Sequence, residues 1–266
     1  MNSAASIRLQ IEAALQNRIP SALTPVQKVL RPVAPTGVLA VDKVLQGGLP
    51  LGAIAEIVGP ECSGRTSVAL SFIAGMTRAA KVCAWVDVLN MLNPESATAA
   101  GVDLSRLLWV RCGVQKVAVK HGRRPTPPAK PWARIEQALR VTDLLLQAGG
   151  FSAIVLDLAS IAPEHVSRVP LATWFRYRAA AERTQASILL LTQHSCAASS
   201  AELLLRFQPG NARRDEATVF TGIEHRLEVA RRRFMQASTN VVPLRKPPQR
   251  ATGANWRSQA AWVGPR

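Results

Sequence analysis

One stretch of 22 residues, 53–74, constrains this chain more than any other: AIAEIVGPECSGRTSVALSFIA. Residues 59–66 fill the frame G-x-x-x-x-G-K-[ST], except that Arg65 replaces the lysine. An apolar run precedes the frame and a helix-period segment follows it, which is the context in which such a loop cradles phosphate. The frame therefore predicts a phosphate loop after a buried strand. Its candidate contact residues are Gly59, Pro60, Glu61, Ser63, Gly64, Arg65, Thr66 and Ser67.

Arg65 keeps the charge of the missing lysine but not its shape. A guanidinium is broad and planar, so it cannot occupy the slot that a compact ammonium fills between two phosphoryl groups. Glycine-rich strand-to-helix turns also occur without any ligand. Two interpretations stay open: a loop that still binds nucleotide, and a loop of the same origin that no longer does.

Charge and composition narrow the class of protein. A net charge of +16 predicts a polyanionic partner, with an arginine-rich solvated surface as the alternative. Residues are 48% hydrophobic but only 5% aromatic, which favours strands covered on both faces. The four cysteines and four histidines lack metal-site spacing. Because the N-terminus lacks a signal-peptide pattern and no apolar run reaches about 18 residues, we expect a soluble cytoplasmic protein.

The order of elements predicts an α/β fold. Residues 4–17 have the apolar period of an amphipathic helix, which either folds back on its own core or docks on another chain, and a proline-rich linker follows to residue 36. From residue 37 to 244, predicted strands alternate with helices, which indicates parallel pairing with right-handed crossovers. Strands are predicted at 54–58, 82–87, 107–111, 153–158, 187–192, 203–207, 218–221 and 225–234, the last three extending the sheet in antiparallel fashion. Helices are predicted at 66–80, 94–100, 134–148 and 171–184.

Two basic segments lie outside this plan. Residues 113–133 form a predicted exposed, mobile loop, and residues 245–266 a predicted disordered tail; neither contains an acidic residue. The tail's tryptophans fit base stacking on single-stranded DNA or anchoring in a partner protein's pocket. A tail without a role is the third alternative. The candidate DNA- or partner-binding residues are Lys116, Lys120, Arg123, Arg124, Lys130, Arg245, Lys246, Arg250, Trp256, Arg257 and Trp262.

Several motifs, in order and spacing, resemble the RecA recombinase core. They are GVLAVDKVLQGGLPLGAIAEIVGPECSGRTS, WVDVLNMLNPESATAAGVDLSRLLWVRC, ALRVTDLLLQAGGFSAIVLDL and ILLLTQ. The resemblance implies a mostly parallel RecA-like sheet over residues 37–244, with 113–133 as an insertion. It implies ATP at the phosphate loop, with Thr66 and Asp157 holding magnesium. It also implies that Gln193 senses the γ-phosphate and that Arg231 and Arg233 reach a neighbouring protomer's nucleotide.

Other RecA features are missing. RecA has a water-activating glutamate two residues after the aspartate that ends its second strand, but here Asp87 is followed by Val88 and Leu89. Losing a general base typically costs 10²- to 10⁴-fold in rate, so we expect very slow or no hydrolysis and assign no catalytic residue. The loop after Gln193, HSCAASSAE, lacks the glycines and positive charge with which RecA grips single strands.

A RecA-like core with a degraded ATPase site, a short N-terminal helix and a basic tail resembles the ImuA family, RecA-related accessory factors of SOS mutagenesis in bacteria. The resemblance implies a role in translesion synthesis on the nucleoid. Its implied partners are an ImuB-type polymerase relative, RecA filaments and an error-prone polymerase subunit. The alternative is an ATP-dependent, single-stranded-DNA-binding recombinase in which Glu61 or Asp87 substitutes for the missing base.

Overall fold

A computed structural model describes residues 6–7, 10–11, 31–113, 131–214, 220–233 and 253–259. Its sheet is mostly parallel, as the sequence predicts. Six parallel strands run in the spatial order β8–β3–β7–β6–β4–β5. They are β3 (Ile54–Val58), β4 (Cys83–Asp87), β5 (Leu107–Arg111), β6 (Ala153–Asp157), β7 (Ser187–Thr192) and β8 (Leu203–Phe207). Since all run the same way, the residues that follow them meet at one edge of the sheet.

The sequence predicts antiparallel pairing for residues 203–207, but β8 runs parallel to β3, next to which it lies in the sheet. Antiparallel strands extend the sheet only beyond β8. They are β9 (Asn211–Arg214), β10 (Phe220–Arg232) and β11 (Gly253–Gln259), with β8, β9 and β11 all paired to β10. Two short predicted strands at 218–221 and 225–234 are thus one long strand. A separate ribbon joins β1 (Val33–Ala34) to β2 (Leu49–Pro50).

Two expectations for the basic segments need correction. Residues 253–259, part of the predicted disordered tail, form β11, because Ala254 and Trp256 point inward from the edge of the sheet. Residues 131–133, part of the predicted loop, begin a helix. The rest of both segments, 114–130, 245–252 and 260–266, lies outside the described residues.

Helices cover both faces of the sheet. They are α1 (Leu39–Leu45), α2 (Arg65–Arg78), α3 (Pro94–Ala99), α4 (Pro131–Ala148), α5 (Pro163–Val166) and α6 (Leu171–Thr184). Trp174 and Tyr177 of α6 pack with Ile135 of α4 and Ile154 of β6 in a cluster of buried hydrophobic residues. The continuous apolar strands fit this coverage, since strands buried on both faces have no polar side.

The chain divides into a main unit, residues 31–233 with 242–266, and a small unit, residues 1–30 with 234–241. Within the small unit the described residues Ser6, Ile7, Gln10 and Ile11 are helical, and Ile7 and Ile11 are 48% and 43% exposed. Among the helices of the described part of the chain, none combines the length and apolar character needed to cross a membrane.

Candidate functional site

The phosphate loop joins β3 to α2, as the frame predicts. Gly64 precedes the helix with a φ of 94°, a conformation that glycine adopts without strain. No side chain caps this helix end, and its first turn contains no acidic residue. The first amides of α2 are therefore available to an anion, as in phosphate-binding loops.

A cleft of about 390 Å³ opens beside this loop. One wall comes from the loop and from the residues around the end of β6, and the other from the segment that follows β4. The lining residues are Glu61, Cys62, Arg65, Thr66, Leu70, Met91, Leu92, Asn93, Ser96, Asp157, Ala159 and Ser160. The structure thus brings together Glu61, Arg65, Thr66 and Asp157 of the predicted site.

Arg65 is buried and already has a partner within the protein. The residue is only 5% exposed, and its Nη1 donates a hydrogen bond to the carbonyl oxygen of Thr192 at the end of β7. Burial lowers the pKa of Arg65, while Asp157 and Glu61 oppose that shift. The guanidinium therefore ties the start of α2 to the sheet as well as lining the cleft.

Asp157 ends β6 and faces the same cleft. Its Oδ1 accepts a hydrogen bond from the Ala159 amide at 3.1 Å, and burial raises its pKa to about 6. Magnesium takes a carboxylate or hydroxyl oxygen together with phosphate oxygens and water. Because Thr66 and Asp157 offer these oxygens to one cleft, the donor set fits magnesium, and these two residues would hold it. In the described part of the chain, no cluster of three or more His, Cys, Asp and Glu residues is arranged for a metal ion.

The position of the missing base is apolar in the structure too. Leu89 is half-buried and packs against the buried cluster that contains Trp174 and Tyr177. Asp87, two residues earlier, is 1% exposed, and its carboxylate accepts hydrogen bonds from the amides of Met91 and Leu92 and from Trp109 Nε1, at 3.0, 2.9 and 3.2 Å. With both oxygens engaged, Asp87 is poorly placed to take a proton from water. Glu61, the other substitute suggested by the sequence, is exposed in the cleft.

Gln193 does not join the residues of this cleft. It is half-buried after β7 and lines a neighbouring pocket of about 310 Å³, together with His194, Ser195 and residues around α5. The resemblance to RecA implies that Gln193 senses the γ-phosphate, but its side chain lines the neighbouring pocket and not the cleft beside the phosphate loop.

The loop after β7 is held by side chains of its own chain. Glu56, fully buried in β3, accepts hydrogen bonds from the amides of Cys196 and Ala197, at 2.5 and 3.1 Å to its Oε1. Arg231 donates to the carbonyl oxygen of Ala198, and Arg233 donates to that of Ser199 at 2.7 Å. Arg231 and Arg233, which the resemblance assigns to a neighbour's nucleotide, thus bind within the chain.

Sequence reasoning missed Glu56. A signal existed, because Glu56 is the sole charged residue in the apolar run that precedes the phosphate loop. A carboxylate in a fully buried strand needs hydrogen-bond donors, so its presence indicates a polar loop nearby.

Three rings pack together beside the phosphate loop. His225 of β10 is 2% exposed, and its Nδ1 lies 3.2 Å from the carbonyl oxygen of Ser63. Trp256 of β11 stacks on His225 with ring centres 5.0 Å apart, and meets Phe207 of β8 edge-on at 5.6 Å. Trp256 is therefore a half-buried part of the fold, whereas Arg257 beside it is exposed.

The remaining candidate contact residues Lys116, Lys120, Arg123, Arg124, Lys130, Arg245, Lys246, Arg250 and Trp262 lie outside the described residues. Their proposed contacts with DNA or protein therefore stay predictions.

Comparisons with known proteins show what the sequence and the fold resemble. Residues 10–120 match the family model of the RecA N-terminal domain. Over 114 residues, 42% of this chain, the sequence is 37% identical to the RecA proteins of Corynebacterium jeikeium and Acinetobacter baylyi. Over 115 residues it is 37% identical to RecA of Ruegeria pomeroyi. The matched segment spans only about a quarter of these relatives, at 25%, 27% and 27% of their lengths.

A solved structure resembles the chain over a longer range. The crystal structure of the RadB recombinase aligns with a TM-score of 0.54 at 18% identity, covering 85% of this chain and 96% of that one. The protein therefore has a RecA-like fold, with sequence similarity to the RecA N-terminal domain over residues 10–120.

Proposed function

We propose that this protein is a RecA-like accessory factor of the bacterial DNA-damage response, similar to the ImuA family. In this role it supports error-prone translesion synthesis through contacts with an ImuB-type polymerase relative, a RecA filament and an error-prone polymerase subunit. It works in the cytoplasm, on the nucleoid. Its phosphate loop acts as a structural or slowly exchanging nucleotide site rather than as an ATPase centre.

The observation that carries this proposal is the loop after β7. A recombinase needs a mobile, basic loop at this edge of the sheet, whereas residues 196–199 are hydrogen-bonded to Glu56, Arg231 and Arg233 of the same chain. The described loop residues include no lysine or arginine. Leu89 packed against the apolar core and Arg65 bonded to Thr192 support the same conclusion for hydrolysis.

A second candidate function is ATP-dependent binding of single-stranded DNA by a RecA-type recombinase that self-associates. Its support is the intact set of cleft oxygens, Thr66 and Asp157, with the exposed Glu61 as a substitute base. The basic segments would then contact the phosphate backbone.

A genetic experiment separates the two functions. In the source bacterium, deleting the gene should lower mutation frequency after ultraviolet damage while leaving homologous recombination frequency unchanged. Re-expression of a Thr66→Ala variant should restore damage-induced mutagenesis if the site is structural. A recombination defect in the deletion strain, cured by the wild-type gene but not by the Thr66→Ala variant, would favour the recombinase.

A further inference from the structure

The two sides of the phosphate loop face different surroundings. Its cleft side offers amide groups and the Arg65 and Thr66 side chains, whereas the carbonyl groups of Cys62 and Ser63 face the antiparallel extension. His225 Nδ1 lies 3.2 Å from the Ser63 oxygen. A Cβ atom placed on Gly210 would meet the Cys62 oxygen at 2.8 Å, so the backbone after β8 also lies against the loop.

The glycines of the loop show how closely β8 and the antiparallel strands approach it. A Cβ on Gly64 would lie 2.5 Å from His225 Nδ1, and a Cβ on Gly59 would lie 2.8 Å from Phe207. Distances under about 3 Å are repulsive for heavy atoms outside hydrogen bonds. The loop can therefore shift toward the extension only if His225 and Phe207 move too.

β11 holds His225 in this position from the other side. Trp256 stands directly opposite His225 in the β10–β11 register and stacks on its ring, and the next inward residue, Ala254, stands opposite Leu227. Gly253, Asn255 and Arg257 are exposed. β11 also packs against α1, and Trp256 is the larger of its two inward apolar side chains. An edge strand with so few inward apolar groups opens more readily than a central strand.

We propose that β11 is a strap that fixes the shape of the phosphate loop through a relay from Trp256 to His225 to the Ser63 carbonyl. When β11 is paired, the stacked rings hold the carbonyl side of the loop. When residues 253–259 leave β10, His225 loses the stacked ring of Trp256 and the loop becomes more mobile. A partner that captures this strand would thereby alter the phosphate-binding loop from outside the cleft. This coupling between β11 and the phosphate loop does not require ATP hydrolysis, so it is a property separate from the proposed function.

Hydrogen exchange measured by mass spectrometry on the full chain tests the relay without any ligand. Trp256→Ala should raise amide exchange about tenfold or more in 253–259 and also in the phosphate-loop peptide, 59–67. Exchange in β6 should stay unchanged, because the opening is local. Asn255→Ala is the matched control: it lies on the same strand but faces solvent, so it should leave the loop peptide at the wild-type rate.

Variants of His225 distinguish the proposed relay from a global loss of stability. His225→Ala should raise exchange of the phosphate-loop peptide, and His225→Asn, whose amide can donate from a similar position, should restore slow exchange there. The proposal is overturned if Trp256→Ala accelerates exchange of β11 but not of the loop, or leaves both unchanged. It is equally overturned if Asn255→Ala reproduces the effect, or if exchange rises uniformly, including in β6, in both Trp256→Ala and His225→Ala.

Discussion

At the scale of single residues, the phosphate loop depends on glycines for two different reasons. Gly64 needs both its φ of 94° and the absence of a side chain beside His225. Gly75, in the middle of α2, has ordinary helical geometry, and an added Cβ there would meet no atom within 4 Å. The two positions form a matched pair for one substitution.

We predict that Gly64→Ala lowers the free energy of unfolding by about 1–3 kcal/mol, because alanine is strained at this φ and its methyl group contacts His225. Gly75→Ala should instead raise it by about 0.5–1 kcal/mol, since alanine favours a helix and restricts the unfolded chain. Urea denaturation monitored by circular dichroism measures both. Equal effects of the two substitutions would contradict the close packing at Gly64.

Asp157 predicts a specific dependence of stability on pH. Burial raises its folded-state pKa to about 6, above its value in the unfolded chain, so folding favours the protonated form. The free energy of unfolding therefore falls as pH rises from about 4 to 6, and above pH 6 the full destabilisation from the buried charge is present. In metal-free buffer, Asp157→Asn should raise the free energy of unfolding by about 1–3 kcal/mol at pH 7 but little at pH 4.

Asp103→Asn is the control for this prediction. Hydrogen bonds from Ser105 lower the pKa of Asp103, so its ionised form favours folding, and the substitution should act in the opposite direction. Denaturation midpoints at several pH values provide the measurement. A stability gain for Asp157→Asn that is the same at pH 4 and pH 7 would show that burial of the charge is not its cause.

Sequence alone identified four residues of the cleft, Glu61, Arg65, Thr66 and Asp157, but neither the opposite wall after β4 nor the contacts of these residues. Arg65 was visible because it breaks a known frame, and Leu89 because it stands where a carboxylate is expected. The bond from Arg65 to Thr192, and the stacking of Trp256 on His225, join residues far apart in the chain. Such contacts depend on strand register and side-chain packing, which local patterns do not encode.

At the scale of elements, the loop after β7 is shaped by an acceptor in β3. Glu56→Leu keeps a similar volume but removes the oxygen that binds the Cys196 and Ala197 amides. We predict about tenfold faster amide exchange at 196–197 in this variant, since a lost hydrogen bond is worth about 1 kcal/mol or more. Glu56→Gln retains an oxygen at this position, so exchange should stay near the wild-type rate, as read by NMR. Equally fast exchange in both variants would show that Glu56 does not hold the loop.

The central elements were predictable and the peripheral ones were not. Strands β3 to β7 have apolar runs separated by helical periods, so their parallel pairing follows from simple rules, whereas β8, predicted as antiparallel, pairs in parallel with β3. β11 was missed because GANWRSQ contains only two inward apolar residues and gains its order from pairing with β10. α1 and the β1–β2 ribbon were also not predicted, because their sequence consists of glycines and short apolar pieces.

At the scale of the whole molecule, the net charge of +16 predicts salt-dependent binding to single-stranded DNA. If the loop 113–133 contacts phosphates, replacing Lys116, Arg123 and Arg124 by serine should reduce the magnitude of the log–log salt slope by about 2. Replacing Arg140, Arg168 and Arg183, which are exposed on the core, removes the same charge and should change it little. Fluorescence anisotropy with a labelled oligothymidine at several salt concentrations measures the slope. Equal changes of the salt slope in the two triple variants would show that net charge alone, and not the loop, determines binding.

The central claim is that a RecA-like fold is retained here without the groups that cleave ATP. Its most direct test is the rate of phosphate release by the full chain with ATP and magnesium, with and without single-stranded DNA, beside a RecA recombinase. With Leu89 packed against the core, both Asp87 oxygens hydrogen-bonded and Arg65 bonded to Thr192, we predict no DNA-stimulated turnover. Stimulated turnover at the rate of the recombinase, abolished by Thr66→Ala, would contradict the account.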